Sequence, residues 1–256
     1  MTVPGTRVTA ANVLETALAR TMNVVGFVEG SDPALKDEVV IVGAHLDHLG
    51  FWQDYIYNGA DDNGSGSVGV LNIARAMALN PRKPKRSVVF ALWAGEENGL
   101  LGSRHYVLNP LFPLKKTAVY FNLDMISRPY DEQTFTRLSR MFAFPGGTDL
   151  LKKIKPARFL PVSFSAGTGL EETLRRANEY VGLDVLLREQ SGSGGRMMGG
   201  SDHAPFAQAG VPWAFAITAT TADYHQPSDS ADKSSGELME SVSRLIYLAA
   251  FLAADR

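Results

Sequence analysis

Runs of apolar residues alternate with helical patterns along this chain, and most of the runs end in polar residues. Continuous runs of about four to eight residues, rich in β-branched and aromatic side chains, are typical of buried strands. They predict strands at 24–29, 38–44, 87–94, 117–123 and 211–217. Apolar residues recurring about every three or four positions predict helices at 65–79, 99–108, 170–181 and 237–254.

The alternation of strands with helices favours an α/β fold built on a mostly parallel sheet covered by helices. The composition does not shift sharply anywhere between residues 1 and 256, and the sequence contains no internal repeat. We therefore predict a single domain. A chain of this length can bury a sizeable core without disulfide or metal cross-links.

Composition and charge narrow the range of functions. With 45% hydrophobic and 20% charged residues the composition is that of an ordinary globular protein, and the formal net charge is -2. This charge provides no basic field for a nucleic acid, so we expect no nucleic-acid partner. The chain has no cysteine, which excludes disulfides, thiolate zinc sites and cysteine nucleophiles. Any metal ion must therefore be held by histidine and carboxylate side chains.

The sequence also bears on membranes and export. No stretch approaches the roughly 18 consecutive apolar residues of a membrane-spanning helix, so we expect no membrane span. Residues 1–5 lack the basic residues followed by an apolar run that mark a secretory signal. These observations leave open a cytosolic protein and the mature region of an exported one.

Side chains that can bind a metal ion are concentrated just after predicted strands or in loops near them. Ligand sites in open α/β sheets form beyond the carboxyl ends of the parallel strands, so we expect these side chains to meet. Charged residues at such positions are costly unless they are paired or bind a metal. The segments are AHLDH at 44–48, NGADDNGSG at 58–66, AGEENG at 94–99, NLDM at 122–125 and YHQPSD at 224–229.

Each segment taken alone also has a structural explanation. The letters DDNG at 61–64 suit a turn or a helix start, and Glu96 with Glu97 suits the first turn of a helix. A single histidine after a strand is more often a satisfied structural residue than a ligand. The recurrence of the pattern along the chain is what predicts a shared metal site.

These segments resemble, in content and order, the two-zinc aminopeptidases of the bacterial leucyl-aminopeptidase type, which are related to glutamate carboxypeptidase II and the transferrin receptor. The resemblance covers about residues 22–255 and rests on AHLDH, NGADDNGSG, GEENGLLGS, NLDM, GGSDHAPF and DYHQPSD. It implies the zinc exopeptidase fold, a single α/β domain whose mostly parallel, mixed central sheet carries helices on both faces. Members of this family are often exported, which implies an extracytoplasmic location.

The same resemblance implies a function. The chain would be a metal-dependent exopeptidase, most simply an aminopeptidase that hydrolyses the N-terminal peptide bond of a peptide with a free N-terminus. The reaction would use a water activated by two zinc ions. With three carboxylate ligands the site keeps a net positive charge, which favours deprotonation of that water and polarises the substrate carbonyl.

Five metal ligands follow from the resemblance. Asp62 matches the carboxylate that bridges both zinc ions. His45 and Asp124 would complete the ligands of one ion, and Glu97 and His225 would complete those of the other. Zinc accepts imidazole nitrogen and carboxylate oxygen, and two ions about 3.5–4 Å apart suit a carboxylate bridge.

The adjacent Asp61 and Asp62 have to be told apart. We assign the bridge to Asp62, because the ligand of the family directly precedes the run Asp/Asn-x-Ser-Gly. The family also has a cis peptide bond after this ligand. The bond between Asp62 and Asn63 is therefore a candidate for the cis form.

Three further side chains receive catalytic roles. Glu96 is expected to be the general base, because consecutive residues of an extended segment point in different directions and Glu97 already faces the metal. Asp47 lies two residues after His45 and would accept the second ring N–H of that histidine. Tyr224 is expected to donate a hydrogen bond to the oxyanion of the tetrahedral intermediate.

The remaining residues near these motifs are expected to be supporting or structural. His48 and His105 are predicted to be structural or solvent-facing, and residues 201–203 to support the site without binding metal. Met125 could line the pocket for the first substrate side chain or pack in the core. The glycine-rich segment 191–200 could be a flap at the pocket mouth or an ordinary loop.

Several alternatives stay open at this stage. The same scaffold supports carboxypeptidase or dipeptidase cleavage and glutaminyl cyclisation, although cyclases of this fold use one zinc ion held by Asp, Glu and His. His45 and the pair Glu96 and Glu97 favour two metals and hydrolysis. A non-catalytic receptor-type domain would be expected to have lost ligands, and here none is lost. Nitrogen and oxygen ligands would also accept cobalt or manganese.

Overall fold

The computed structural model describes residues 5, 7, 9, 11, 19–136, 154–191 and 200–256. Within these residues the strands are β1 Val24–Val28, β2 Val39–His45, β3 Gly50–Trp52, β4 Tyr55–Tyr57, β5 Ser87–Trp93, β6 Thr117–Leu123, β7 Phe159–Ser165, β8 Asp184–Gln190 and β9 Trp213–Ala216. The helices are α1 Gly66–Leu79, α2 Leu101–Leu108, α3 Leu170–Asn178, α4 His203–Gln208 and α5 Gly236–Ala254.

The main sheet has seven strands in the order β1-β5-β2-β6-β9-β7-β8. The four strands β5, β2, β6 and β9 run parallel to one another. At one side β1 pairs antiparallel with β5, and at the other β7 pairs antiparallel with β9 and parallel with β8. This is a mixed, mostly parallel sheet, and it confirms the predicted α/β class.

Helices cover both faces of the sheet. Side chains alternate along a strand, so in β2 Val40 and Val42 face the cluster formed with α1, α3 and α5. Val39 and Ile41 face the opposite cluster, which includes side chains of α2 and α4. All four are fully buried, and burial of each side chain contributes roughly 1.5–3 kcal/mol to the stability of the fold. Because both faces of the central strands are packed, the residues that directly follow these strands are held in fixed positions.

All the predicted strands and helices are present, with ends that shift by at most three residues, as for the helix predicted at 170–181 and observed as Leu170–Asn178. The sequence analysis missed β3, β4, β7, β8 and α4. Pro161 interrupts the apolar run of the continuous strand β7, and Arg188 and Glu189 give the edge strand β8 a polar character, so neither strand has a clear apolar run.

Two expectations concern segments outside the core. The segment 191–200, predicted as a flap or a loop, lies outside the described residues except for its two ends. Among the described helices, none combines the length and apolar character that crossing a bilayer requires.

Candidate metal centre and active site

Four of the predicted site segments follow the parallel strands at the same edge of the sheet. His45 is the last residue of β2, Asp124 directly follows β6, and Glu97 lies just beyond β5. His225 comes from the loop after β9, and Asp62 comes from the irregular turn Ala60–Ser65 that precedes α1. Because the carboxyl ends of parallel strands share one edge, side chains far apart in sequence meet there.

One group of predicted ligands, the first ligand group, gathers around His45. The His45 Nε2 atom lies 3.2 Å from Asp62 Oδ1 and 3.4 Å from Asp124 Oδ1. All three side chains are buried. Burial alone lowers the pKa of His45, but contact with the carboxylates of Asp124 and Asp62 raises it to about 12. The position between these three side chains therefore attracts positive charge strongly.

A second ligand group gathers around His225. The His225 Nε2 atom lies 3.2 Å from Asp62 Oδ2 and 3.2 Å from Glu97 Oε2. The two oxygens of Asp62 thus face two different histidines. Burial raises the pKa of Asp62, and the nearby carboxylates of Asp124 and Glu97 raise it further while His45 opposes them. The charged form of a carboxylate in this position would be stabilised by a cation on each side.

The donor atoms fit zinc. Ligands about 2.0–2.1 Å from a tetrahedral zinc ion lie about 3.3 Å from one another, close to the observed separations. His45 Nδ1 donates to the main-chain oxygen of Asp47 at 3.0 Å, so in the neutral ring the lone pair of Nε2 points at two carboxylates. Asp124 Oδ1 is also buried and has no hydrogen-bond partner among the described residues. A cation between these atoms would satisfy them all.

Glu96 lies beside the first ligand group. His45, Glu96 and Asp124 each offer a ligand atom within 4.8 Å of the other two. Burial raises the pKa of Glu96 to about 8, with His45 opposing and Asp124 adding to the increase. Glu96 therefore lies next to the first group, whereas Glu97 contacts the second, so the consecutive side chains diverge.

Comparison with known proteins gives the family. A model of Peptidase family M28 matches residues 23–250. The chain belongs to Peptidase family M28. Leupeptin-inactivating enzyme 1 of Streptomyces exfoliatus is 31% identical over 215 residues, which cover 84% of this chain and 39% of that protein. Aminopeptidase YwaD of Bacillus subtilis is 29% identical over 226 residues, covering 86% of this chain and 42% of that protein.

Solved structures agree with the M28 assignment. The zinc aminopeptidase BSAP from Bacillus subtilis superimposes with a TM-score of 0.64 at 28% identity, covering 91% of this chain and 50% of that one. An aminopeptidase from Aneurinibacillus sp. strain AM-1 gives a TM-score of 0.67 at 24% identity, with 91% and 48% covered, and shows the likeness of fold. The M28 chain thus spans about half the length of these relatives, or less. These matches confirm the resemblance that the sequence motifs indicated.

Asp47 acts through different atoms from those expected. Its carboxylate was predicted to accept the second ring N–H of His45, but the main-chain oxygen of Asp47 does so, and the carboxylate Oδ1 lies 3.9 Å from His45 Nδ1. The carboxylate instead accepts the backbone N–H groups of Glu96 at 3.0 Å and Glu97 at 3.2 Å. The carbonyl of Asp47 thus faces the His45 ring, while its side chain faces the segment after β5.

Tyr224 packs against His225, one of the predicted ligands. Its ring stacks on that of His225 with a centroid distance of 3.8 Å and an interplanar angle of 22°. Burial raises the pKa of Tyr224 to about 12, and the carboxylates of Asp62 and Glu97 add to this effect. The hydroxyl therefore keeps its proton near neutral pH and remains a hydrogen-bond donor close to the acidic site.

His48 differs from its prediction. It was expected to be structural or solvent-facing, yet its Nδ1 atom lies 2.8 Å from Glu97 Oε1 inside the site. His105, which received the same prediction, is exposed on α2. The sequence placed His48 after β2 but gave no signal for the partner of its ring, because Glu97 comes from another strand.

A buried polar network beneath Asp62 was also missed. Asp229 accepts the backbone N–H of Asp61 at 3.0 Å and that of Asp62 at 3.1 Å, and it pairs with Arg128 at 2.7 Å. The carboxylate of Asp61 accepts the backbone N–H and the hydroxyl of Ser127, at 2.9 and 2.8 Å. Burial raises the pKa of Asp61 to about 6. Of the two adjacent aspartates, Asp61 points into this network and Asp62 points to the histidines.

The peptide bond between Asp62 and Asn63 is cis, as the resemblance implies. The side chain of Asn63 joins the turn to the end of β6. Its Oδ1 atom accepts the backbone N–H of Gly66 at 2.9 Å and that of Met125 at 3.2 Å. Met125 is buried. The Asn63 side chain thus links the segment that carries Asp62 to the main chain next to Asp124.

A chain of hydrogen bonds leads from the core to Asp124. The indole of Trp93 donates to the Tyr120 hydroxyl at 2.8 Å, which donates to Asn122 Oδ1 at 2.6 Å. The amide of Asn122 donates to Ser201 Oγ at 2.8 Å, and that hydroxyl donates to Asp124 Oδ2 at 2.6 Å. Asp124 Oδ2 is therefore held in place by the hydroxyl at the end of this chain of hydrogen bonds, while Asp124 Oδ1 faces His45.

The other two residues of the segment 201–203 lie close by but do not enter either ligand group. Asp202 is fully buried, and burial raises its pKa to about 7. His203 stacks on Phe215 at a centroid distance of 4.6 Å and an angle of 17°, and it also packs on Trp213. Burial lowers the pKa of His203 to about 4, so its ring is neutral. These contacts agree with a supporting position.

Proposed function

We propose that this chain is a zinc-dependent aminopeptidase that binds two zinc ions and hydrolyses the N-terminal peptide bond of a peptide with a free N-terminus. The observation that carries the proposal is that the two carboxylate oxygens of Asp62 face different histidines. Oδ1 lies 3.2 Å from His45 Nε2, and Oδ2 lies 3.2 Å from His225 Nε2. Similarity to aminopeptidases and to a zinc aminopeptidase of known structure supports the reaction and the metal.

The proposed ligands divide into two sets that share Asp62. His45 and Asp124 would hold the first ion, and Glu97 and His225 the second. Together they supply three carboxylates against four positive charges, so the loaded site would keep a net positive charge. Bound zinc would supply Lewis acidity toward the substrate carbonyl and lower the pKa of water at the site.

Glu96 is proposed as the general base. It lies beside His45 and Asp124 but is not needed to complete either set, which leaves its carboxylate free to take a proton from the attacking water. It would then deliver that proton to the amine of the leaving peptide. Asp47 holds the backbone of Glu96 and Glu97 through two hydrogen bonds and so fixes the direction of both side chains.

Substrate recognition is proposed to use the acidic surroundings and Tyr224. The free α-amine of the substrate carries N–H donors, and carboxylate oxygens of Glu96, Glu97 and Asp124 would accept hydrogen bonds from it. The hydroxyl of Tyr224 would donate a hydrogen bond to the oxygen that becomes negative in the transition state.

The test is hydrolysis of L-aminoacyl-anilides by protein stripped of metal with a chelator and reloaded with zinc. Activity should be absent from the stripped protein and should reach its maximum at two zinc ions per chain. N-acetylated versions of the same substrates should not be cleaved, because they lack the free amine. Chelator-insensitive turnover, or saturation at one ion together with cyclisation of N-terminal glutamine, would remove the proposal.

The role of Glu96 is tested by Glu96→Gln, with Glu172→Gln as a matched control. Glu172 is an exposed residue of α3. Glu96→Gln should keep both zinc ions and the fold while kcat falls by about 10²- to 10⁴-fold. Glu172→Gln should leave kcat unchanged. Full turnover in Glu96→Gln would mean that another group is the base.

A further inference from the structure

His48 occupies a position in the site that none of the proposed roles uses. Its side chain is 8% exposed, and its ring lies 5.8 Å from that of His225, centroid to centroid. The His48 Nδ1 atom is 2.8 Å from Glu97 Oε1 and 3.9 Å from Asp62 Oδ2. The imidazole is therefore directed at one carboxylate of the second ligand group.

The two oxygens of Glu97 have different neighbours. Oε2 lies 3.2 Å from His225 Nε2, on the side where the second ion is proposed, whereas Oε1 receives His48. Since a carboxylate oxygen accepts, His48 Nδ1 donates. The other ring nitrogen, His48 Nε2, is buried and has no hydrogen-bond partner in the described parts of the chain, so the hydrogen bond of the ring to the site is made through Nδ1.

The separations distinguish a hydrogen bond from metal ligation by His48. The contacts between the proposed ligands measure 3.2–3.4 Å, near the spacing of about 3.3 Å expected around a tetrahedral ion. The contact of His48 with Glu97 is 2.8 Å, a hydrogen-bond length, and its distance to Asp62 is 3.9 Å. His48, Asp62 and Glu97 do offer ligand atoms within 4.8 Å of one another, but the contact of His48 with Glu97 has the length of a hydrogen bond and not the spacing of the other proposed ligands.

We propose that His48 is a positioning residue that holds Glu97 as a one-oxygen ligand of the second zinc ion. The hydrogen bond to Oε1 would favour binding of an ion through Oε2 alone. One-oxygen binding by Glu97 would help to keep a coordination position open, as catalytic zinc sites require. This inference rests on the proposed two-zinc function.

The backbone around His48 fixes the ring in place. Gly59 has a positive φ of 61°, and a Cβ atom added there would lie 2.6 Å from His48 Cγ. The imidazole therefore packs directly against the main chain of Gly59. The next residue back, Asn58, donates through Nδ2 to the main-chain oxygen of Pro227 at 2.7 Å, which ties this turn to the loop of His225.

The experiment compares His48→Asn with His48→Leu. Asn can present its amide N–H where Nδ1 lies and should restore the contact with Glu97, whereas Leu fills similar space without a donor. Zinc release from each variant is measured by competition with a chromophoric chelator, and cobalt-substituted protein is examined by absorption spectroscopy. His105→Asn, at an exposed histidine of α2, is the matched control.

In His48→Leu one of the two ions should be released about 10- to 100-fold more readily, as is typical when the partner of a ligand is lost, while the other ion is unaffected. In the cobalt-substituted variant the visible absorption band of the affected ion should weaken, because two-oxygen binding by Glu97 would raise the coordination number. His48→Asn should stay close to the parent in both measurements, as should His105→Asn.

Two results would overturn the inference. If His48→Leu matches the parent in zinc release and cobalt spectrum, His48 does not position Glu97. If His48→Asn releases zinc as readily as His48→Leu, the imidazole itself binds the ion or is needed for packing. Parent protein that binds no second ion would instead refute the two-zinc function, so the two failures can be told apart. Thermal unfolding of the stripped variants checks that each is folded.

Discussion

The carboxylate of Asp229 accepts the backbone N–H of Asp62 at 3.1 Å, so the loop of His225 directly supports the residue that faces both histidines. The same carboxylate binds the guanidinium of Arg128 at 2.7 Å, four residues after Asp124. Both partners are buried, with side chains 5% and 2% exposed. Three segments that carry proposed ligands therefore converge on one buried ion pair.

The variant Asp229→Ala is expected to lower the free energy of unfolding of the metal-free protein by about 3–5 kcal/mol, because it leaves Arg128 buried without its partner. Urea unfolding followed by circular dichroism measures this change. Zinc affinity should fall as well, since the amide of Asp62 loses its acceptor.

An exposed ion pair provides the comparison for this variant. Arg175 and Glu171 form a pair at 2.7 Å on the surface of α3. Glu171→Ala should cost only about 0.2–0.5 kcal/mol. An equal cost for Asp229→Ala and Glu171→Ala would show that the buried pair does not support the site.

Ser201→Ala is expected to weaken zinc binding at the first ligand group by about 10- to 100-fold, because Asp124 Oδ2 loses the hydroxyl that holds it. Chelator competition measures the affinity. The effect should be specific to one of the two ions, because among the described residues the Ser201 hydroxyl is hydrogen-bonded to Asn122 and Asp124, whereas Glu97 and His225 contact each other.

Tyr120→Phe breaks the same chain of hydrogen bonds further from the metal. It leaves the buried indole N–H of Trp93 without its acceptor and should destabilise the fold by about 1–3 kcal/mol. The bond between Ser201 and Asp124 remains, so zinc affinity should be nearly unchanged. Equal losses of zinc affinity in both variants would contradict a local role for Ser201.

Asp47→Asn is expected to lower kcat by about 10- to 100-fold, since losing a hydrogen bond to a charged group costs roughly 1.5–3 kcal/mol. Each oxygen of Asp47 accepts one backbone N–H, from Glu96 or Glu97, and the amide group of asparagine would replace one acceptor with a donor. Steady-state kinetics with an aminoacyl-anilide measures the effect. Asp54→Asn, at the exposed turn between β3 and β4, should behave like the parent, and an unchanged kcat for Asp47→Asn would exclude this role.

Tyr224→Phe is expected to reduce kcat by about 10²- to 10³-fold while KM and zinc content stay the same, as when one donor to the oxyanion is removed. The phenyl ring can still stack on His225, so the ligand should keep its position. Tyr180→Phe is the control, because Tyr180 is 74% exposed. If kcat does not change, packing on His225 is the role of Tyr224.

The sequence alone determined five of the seven strands of the main sheet, and its motifs indicated the family. Continuous apolar runs such as Val39–His45 and Ser87–Trp93 are buried on both faces, so their strand character needs no tertiary information. The motifs that follow them name the proposed ligands in order. Of the strands that escaped prediction, β7 contains Pro161 and the edge strand β8 contains charged residues, so neither shows a continuous apolar run.

Tertiary structure decided which atoms meet. The resemblance already selects Asp62 over Asp61, but the contact of Asp61 with Ser127 and the contacts of Asp62 with His45 and His225 arise only in the folded turn. Likewise, His48 is 49 positions from Glu97 along the chain, yet it is hydrogen-bonded to that residue. Sequence patterns report burial and backbone preference along the chain, whereas hydrogen bonds form between groups brought within about 3 Å by the sheet, so the site's geometry depends on the whole fold.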